Sequence, residues 1–348
     1  MYTIQHVAKA ARVSQATVSR VINGYPAVKV ETAQRVRRAM ARLGYVPPPL
    51  EHRRGPRPRS AAGIRTGIIT FLEMNTVFAY HVNELAMLLK GIEGAITESN
   101  LIFCFACQKP DGSLPHVLAS NQSDGILLHG GNPSERVAEV IRKIPSVWLS
   151  SWKDGDGKHI LVGNEAVGRL AADFLLSRGH RSLAFLNVNP HNPALQARGE
   201  AFNYQVFRSG VESVVLQTEG AHVETSFEIP VLESRTVELV KQFSKMPKRP
   251  TGLFVPSDLM TAVAYHALYQ HGLVPGRDVD IISSNHELNC LAGLTPRPAT
   301  IDIGWEPMGR RAVDQLLWQM RNPKEQNRMQ VVIEPALVPG ETTWPQPA

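Results

Sequence analysis

At 348 residues the chain is too long for one ordinary domain, and 43% hydrophobic residues supply ample material for a core. No apolar run of about 18 residues occurs, and the first residues lack a signal peptide's apolar stretch, so neither membrane insertion nor export is expected. The net charge of +6 is unevenly spread: residues 1–62 hold 12 Lys and Arg against only Glu31 and Glu51, a surplus of +10 that leaves −4 for residues 63–348. A basic head on a mildly acidic body is the electrostatic footprint of a protein that docks its head on phosphate.

Residues 3–23 read as two short helices at a tight corner. Ile4, Val7, Ala8 and Ala11 recur at i, i+3, i+4 and i+7 behind Thr3, a suitable N-cap. Val13 closes the corner, and Ser14 caps a second helix whose apolar face is Val18, Val21 and Ile22, with Gly24 the expected stop after Asn23. Ala16, Arg20 and Asn23 project from the opposite face, and Gln15 sits at the N-terminal tip, the end that a recognition helix pushes towards base edges. Gln pairs bidentately with adenine and Arg with guanine. A third helix follows from Ala33, Val36, Met40 and Leu43, stopped by Gly44, with Arg35, Arg37, Arg38 and Arg42 on its wet side. Its start is weak, because Lys29 stands where a capping Ser or Asp belongs, although Glu31 suits the first-turn dipole.

Residues 46–60, rich in proline and arginine, read as an extended linker. Beyond residue 64, short β-branched runs alternate with helical patterns. Strands are expected at 67–72, 101–105, 125–129, 146–149, 183–186, 252–255 and 279–283, with helices near 80–99, 134–143, 165–178, 194–209, 258–271 and 306–321. Such alternation predicts doubly wound parallel sheets, which bind ligands at the carboxyl ends of their strands. The chain has no Gly-rich phosphate loop and no His-Glu-x-x-His. Three cysteines suit a reducing compartment, and Cys104 and Cys107, set in an apolar run, are expected to be buried strand residues rather than a metal or redox pair.

Several stretches resemble the lactose-repressor (LacI/GalR) family: Val7-Ala8-Lys9, the long run from Val13 to Gly24, Leu43-Gly44-Tyr45-Val46-Pro47, Ser123-Asp124-Gly125-Ile126, Leu176 to Arg181, Ser257 to Ala262 and Met308 to Val313. The resemblance covers nearly the whole chain. It implies an α/β protein with a three-helix helix-turn-helix head, a hinge and a two-lobed core similar to periplasmic sugar-binding proteins, acting as a homodimer on a near-palindromic operator. The expected boundaries are 1–46 for the DNA-binding head, 47–63 for the hinge and 64–348 for the core. Within the core, lobe 1 takes about 64–163 and 292–325, and lobe 2 about 164–291 and 326–348. By the same resemblance Gln15, Ala16 and Arg20 read bases, while Thr3, Ser14, Thr17, Ser19 and Asn23 hold phosphates, contacts that position the head without specifying sequence.

Two departures from the family pattern stand out. Family hinges usually form a short helix with a leucine wedged into the minor groove, whereas this chain has Pro47, Pro48 and Pro49, with Arg54 near the place of that leucine. Arg53, Arg54 and Arg57 lie in an extended Arg/Pro/Gly segment of the type that follows narrow A·T minor grooves. A solvated tether binding phosphate nonspecifically is the equal alternative. The second departure concerns the effector cleft, where the resemblance places Asn75, Phe78, Ser151, Trp152, Arg198, Ser257, Asp258 and Asn285. Arg198 matches the arginine that grips effector oxygens in sugar-responsive members, but Ser151, Ser257 and Asn285 supply hydrogen bonds without charge. That combination suits an anionic or hydroxyl-rich ligand, unless Arg198 is instead a structural ion pair, with Asp258 as one partner.

An operator-binding regulator, with repression as its expected mode, accounts for head, charge split and sensor-like body together. A sugar-transport component accounts for the body alone and needs export. An enzyme needs a nucleophile, base and orienter or a metal cluster, and His129, His180 and Asp258 are not spaced to form one. The reading therefore assigns no catalytic residue, cofactor or metal. Its partners are double-stranded operator DNA, a small-molecule effector and a second copy of the chain, with no membrane, and its expected location is the bacterial cytoplasm at the nucleoid. The tail after Arg328 lacks a leucine heptad, so assembly is expected to stop at the dimer.

Overall fold

In a computed structural model of the chain, residues 2–22, 28–47, 64–74, 82–150, 158–218, 229–325 and 329–342 are described. The head holds α1 (Ile4–Ala11), α2 (Gln15–Ile22) and α3 (Val30–Leu43). Thr3 is the N-cap of α1, and its backbone N–H donates to His6 Nδ1 at 3.1 Å. Arg12, with φ 53°, turns the chain out of α1. Ser14 Oγ accepts the Thr17 N–H at 3.1 Å and so caps α2. Lys29 begins α3 without a side-chain cap, and Gly44 ends it with φ 59°, a left-handed conformation that suits glycine. Val7, Ala8, Ala11, Val18, Val21, Val36 and Ala39 form the buried core of the three helices. The expected stop at Gly24 lies outside the described residues.

The body starts with β1 (Ile68–Glu73), α4 (Val82–Glu98), β2 (Ile102–Cys107), α5 (His116–Ala119), β3 (Gly125–His129), α6 (Glu135–Ile141), β4 (Ser146–Ser150) and β5 (His159–Val162). It continues with α7 (Asn164–Ser177), β6 (Ser182–Asn187), α8 (Pro193–Arg208), β7 (Glu212–Gln217), α9 (Ile229–Ser244), β8 (Gly252–Phe254), α10 (Asp258–Gln270), β9 (Asp280–Ile282) and α11 (Leu288–Leu291). The last elements are β10 (Thr300–Asp302), α12 (Trp305–Arg321), β11 (Gln330–Ile333) and β12 (Ala336–Val338). Two sheets result. The first has order β11-β5-β4-β3-β1-β2 and the second β7-β6-β8-β9, all parallel, while β10 and β12 form a separate antiparallel pair.

Strand order fixes where a ligand can sit. In the first sheet β1 lies between β2 and β3, so successive crossovers leave β1 in opposite directions and open a crevice at the carboxyl ends of β1 and β3. In the second, β6 lies between β7 and β8 and opens a crevice in the same way. The chain passes from the first sheet to the second at Gly163, and back through the segment after Asn285, whose N–H donates to the Ile301 carbonyl at 2.9 Å. One apolar cluster runs through both units, from Ile69 and Ile92 across Val167 and Ala171 to Phe185, Phe202 and Phe254.

Close helix packing places the later site. A Cβ on Gly168 in α7 would collide with the Arg198 carbonyl of α8, so glycine there lets the two helices touch through their backbones. Gly309 does the same for α12 against the Leu88 carbonyl of α4. Two expectations are corrected. Strand β11 pairs with β5 in the first sheet, so residues 330–333 belong to lobe 1 and not to lobe 2; a four-residue edge strand carries too little pattern to reveal its sheet. Cys104 and Cys107 lie on β2, the edge strand beside exposed Ile102, and are half-buried rather than buried.

Candidate functional site

The head presents Gln15, Ala16 and Arg20 to solvent, while Val18 and Val21 of the same helix are buried. Thr3 and Ser14 are exposed at the starts of α1 and α2, and Thr17 and Ser19 are half-buried. These side chains are already partnered within the head: Thr3 Oγ1 lies 2.8 Å from His6 Nδ1, and Ser14 Oγ lies 2.9 Å from Thr17 Oγ1. Arg35, Arg37, Arg38 and Arg42 are exposed along α3. Asn23 and the hinge arginines Arg53, Arg54 and Arg57 lie outside the described residues.

In the body, Arg198 is 3% exposed, on the second turn of α8, behind an N-cap in which Asn192 Oδ1 accepts the Ala194 and Leu195 N–H groups. Its Nε donates to Asn164 Oδ1 at 2.9 Å, the first residue of α7. Its Nη1 donates to the Pro256 carbonyl at 2.8 Å and to Ser284 Oγ and Asn285 Oδ1, both at 2.9 Å. Among the described residues no hydrogen bond uses Nη2. Burial lowers the Arg198 pKa to about 10, with Glu84, Asp258 and Glu287 opposing the shift, so the guanidinium is charged at neutral pH.

Asp258 is bonded to the fold around it rather than to Arg198. It begins α10, fully buried, and its Oδ2 accepts the Glu287 N–H at 2.6 Å while Oδ1 accepts the Thr300 hydroxyl at 2.8 Å. One oxygen thus braces the turn after β9 and the other the start of β10. Burial pushes its pKa up to about 7, against hydrogen bonds from Ser283, Glu287 and Thr300. No ion pair joins it to Arg198. Ser257 is the N-cap of α10, and its carbonyl accepts the Thr261 hydroxyl at 2.9 Å. Asn285, at φ 106°, is the strained member of the set, followed by His286 at φ 59°. Asn75, Phe78, Ser151 and Trp152 lie outside the described residues.

Four neighbours escaped the sequence reading: Asn164, Ser284, Glu287 and Glu84. Asn285 Nδ2 donates to Glu287 Oε1 at 3.0 Å and to Glu84 Oε1 at 3.3 Å, so acids do stand close to Arg198. Glu287 is raised in pKa by burial first and by Glu84 second. The first turn of α4, which carries Glu84, gives no sequence signal because it meets this site only across the gap between sheets. At the other crevice, His129 Nδ1 lies 2.6 Å from Glu73 Oε2 at the carboxyl ends of β3 and β1. His180 sits elsewhere, before β6, bonded to Thr251 Oγ1 at 2.8 Å and Asp280 Oδ2 at 3.2 Å. The three residues named as possible chemistry are thus separate structural pairs. Burial raises the Cys290 thiol to about 12, which keeps it protonated. Among the described residues no three His, Cys, Asp or Glu side chains are grouped to hold a metal, and no helix is long and apolar enough to cross a membrane.

Comparison with known proteins places both parts. Residues 3–48 match the model of bacterial regulatory proteins of the lacI family, and residues 172–343 match a periplasmic binding protein-like domain. The chain thus joins a head similar to lacI-family regulators to a core similar to periplasmic binding proteins. It is 27% identical over 350 residues to the ribose operon repressor of Haemophilus influenzae, covering 99% of both chains. It is 29% identical over 288 residues to catabolite control protein A of Priestia megaterium, covering 80% of this chain and 81% of that one. Among solved structures, the lac repressor dimer bound to operator and an anti-inducer superposes with a TM-score of 0.65 at 20% identity, covering 99% of each chain. The relatives named are regulators, and this chain resembles them along nearly its whole length, with a lacI-type DNA-binding head on a binding-protein-like core.

Proposed function

We propose that this protein is an operator-binding transcriptional repressor of the lacI type, working as a cytoplasmic homodimer, whose DNA affinity is set by a small molecule held between the two lobes. The observation that carries this reading is the pairing, on one chain, of an exposed Gln15-Ala16-Arg20 face with a buried arginine whose bonds span α7, α8 and the turns after β8 and β9. A charged guanidinium in that position offers directed donors to hydroxyl or carbonyl oxygens. Ser284 and Asn285 add neutral donors and acceptors, and Glu84 and Glu287 add acceptors for hydroxyl or amino protons. This balance favours a neutral, hydroxyl-rich ligand such as a sugar or nucleoside over an anion. The ribose operon repressors among the relatives take their name from a sugar of that class.

In this assignment Gln15, Ala16 and Arg20 read bases, and Thr3, Ser14, Thr17, Ser19 and Asn23 contact phosphates. The hinge arginines Arg53, Arg54 and Arg57 follow the minor groove or act as a charged tether. Arg198, Asn285 and Ser257, with Asn75, Phe78, Ser151 and Trp152, line the ligand cleft, while Asp258 braces it. The relatives give no reason to assign an enzymatic reaction. The test has two arms: selection of binding sites from random DNA with the full chain, and a thermal-shift screen with sugars, sugar acids, nucleosides and amino acids. A ligand at 100 times its dissociation constant adds about 2.7 kcal/mol of stability. Failure to enrich any DNA sequence overturns the regulator assignment, and a response to sugar acids alone overturns the neutral-ligand assignment.

A further inference from the structure

The carboxamide of Asn285 is shared between the two lobes. Its carbonyl accepts from Arg198 Nη1, on the lobe-2 helix α8, at 2.9 Å. Its amino group donates to Glu287 in lobe 2 at 3.0 Å and to Glu84, in the first turn of the lobe-1 helix α4, at 3.3 Å. Four residues on, Asn289 Nδ2 donates to Asn83 Oδ1, also in α4, at 2.8 Å. Two successive residues of lobe 1 are therefore tied to one short segment of lobe 2. The segment is held stiffly at its root: Asn285 and His286 both have positive φ, the Asn285 N–H is bonded to Ile301, and the Glu287 N–H is bonded to Asp258. A planar carboxamide cannot turn to follow Arg198 without also moving its amino group away from Glu84.

We propose that Asn285 is a positioning residue that converts the state of Arg198 into the distance between the lobes, with Asn83–Asn289 as the second point of the same latch. This rests on the cleft around Arg198 being the regulatory site. A ligand bonding Arg198 biases the latch because the latch and the arginine share one carboxamide, and a ligand controls an equilibrium only through such differential contacts. Acidic neighbours make the latch sensitive to polarity. Replacing the Asn285 amide with a carboxylate keeps the acceptor for Arg198 but sets a third negative group against Glu84 and Glu287, which opens the cleft on the lobe-1 side.

The test uses the full-length chain in three variants, N285D, N285D/E84Q and N285D/E287Q. Small-angle scattering reads lobe separation without ligand or DNA, and titration with a DNA sequence selected by the wild-type chain reads the output. N285D is expected to enlarge the radius of gyration and to change DNA affinity at least fivefold. E84Q supplies a side-chain donor across the gap, so N285D/E84Q is expected to return the radius of gyration to the wild-type value and DNA affinity to within twofold of wild type, while N285D/E287Q does neither. Rescue by E287Q alone makes the role local to lobe 2 and overturns the latch, as does an N285D chain with unchanged scattering. Should N285D fail to fold, the pair N83A and N289A, alone and together, replaces it. The two single variants and the double variant are expected to expand the molecule equally, and additive expansion overturns the shared contact. A wild-type chain that selects no DNA defeats the regulator assignment, yet leaves the scattering arm to decide the latch.

Discussion

Arg20 and Asp258 show how far one side chain's environment decides its part. Arg20 is exposed on α2 while Val18 and Val21 are buried, so its guanidinium is available to a base edge and contributes nothing to the head's core. Arg20→Ala is expected to weaken binding to the selected DNA by about 1 to 3 kcal/mol and to relax preference at one base pair per half-site. Competition with operator variants checks this, and an equal loss on random DNA makes Arg20 a phosphate contact. Asp258 is the reverse case, a carboxyl spent wholly on the fold. Its folded pKa is raised to about 7, above the ordinary carboxyl value near 4. The folded state then binds the proton more tightly than the unfolded one, so this group's stabilising contribution is full below about pH 4 and is lost as pH rises through about 7. Asp258→Asn removes the titration, and unfolding midpoints measured from pH 4 to 8 are expected to fall less steeply with rising pH in the variant. Below about pH 7 the variant is less stable, because an amide offers one acceptor oxygen where the carboxyl offers two, and either the Glu287 N–H or the Thr300 hydroxyl loses its partner.

At the scale of elements, the helices and central strands were legible because each carries its own period or its own punctuation. The caps Thr3 and Ser14, the stop at Gly44 and the β3 run Gly125–His129 stand where the sequence puts them. Strands β5, β7, β10, β11 and β12 and helices α5, α9 and α11 were missed. Most of these are three or four residues long, too short to define a period, and the strands' pairing is decided by partners distant in the chain; the six-residue β7 and the sixteen-residue α9 are the exceptions. Family-like stretches read only as resemblance acquire physical reasons from the structure. Asp124 Oδ2 accepts three consecutive backbone N–H groups, from Arg65, Thr66 and Gly67 at 2.9, 2.6 and 2.7 Å, and so fixes where the chain enters lobe 1. Arg178 and His180 converge on buried Asp280, and Arg178 also reaches the Thr342 carbonyl, tying the chain's last described segment to the second sheet. The site was half legible for the same reason. Arg198 and Asn285 follow from motifs, while Glu84 enters from another lobe. The glycine contacts give a test at this scale. Gly168→Ala pushes α7 away from α8 and is expected to cost about 1 to 3 kcal/mol in denaturant unfolding, as overpacking of a tight helix contact does. Because Arg198 rides on α8 and bonds Asn164 on α7, the same variant is expected to weaken ligand binding, which calorimetry detects as a raised dissociation constant.

For the whole molecule the question is whether sensing and DNA binding are separable, and Arg198→Ala answers it. The head has its own core, made of residues from α1, α2 and α3, so removing a side chain from α8 leaves the reading face intact. The body's shared apolar cluster also survives, because it is built from aliphatic and aromatic side chains packed around α7, β6 and β8 rather than from the guanidinium. Local stability falls, since Ser284, Asn285 and the Pro256 carbonyl lose a buried donor and Glu84 and Glu287 lose the positive charge beside them, but the loss is confined to the cleft. The variant is therefore expected to fold, to form the same dimer and to bind the selected DNA with wild-type specificity. What it loses is the ligand's preference between lobe arrangements, so adding the ligand found by thermal shift no longer changes DNA affinity. Calorimetry with that ligand and DNA titrations with and without it check both halves of the expectation. Unchanged ligand affinity moves the sensing site away from Arg198. A variant that no longer folds makes the arginine a structural brace between α7, α8 and the β9 turn, and shifts the search for ligand contacts to the Glu73–His129 pair at the crevice of the first sheet.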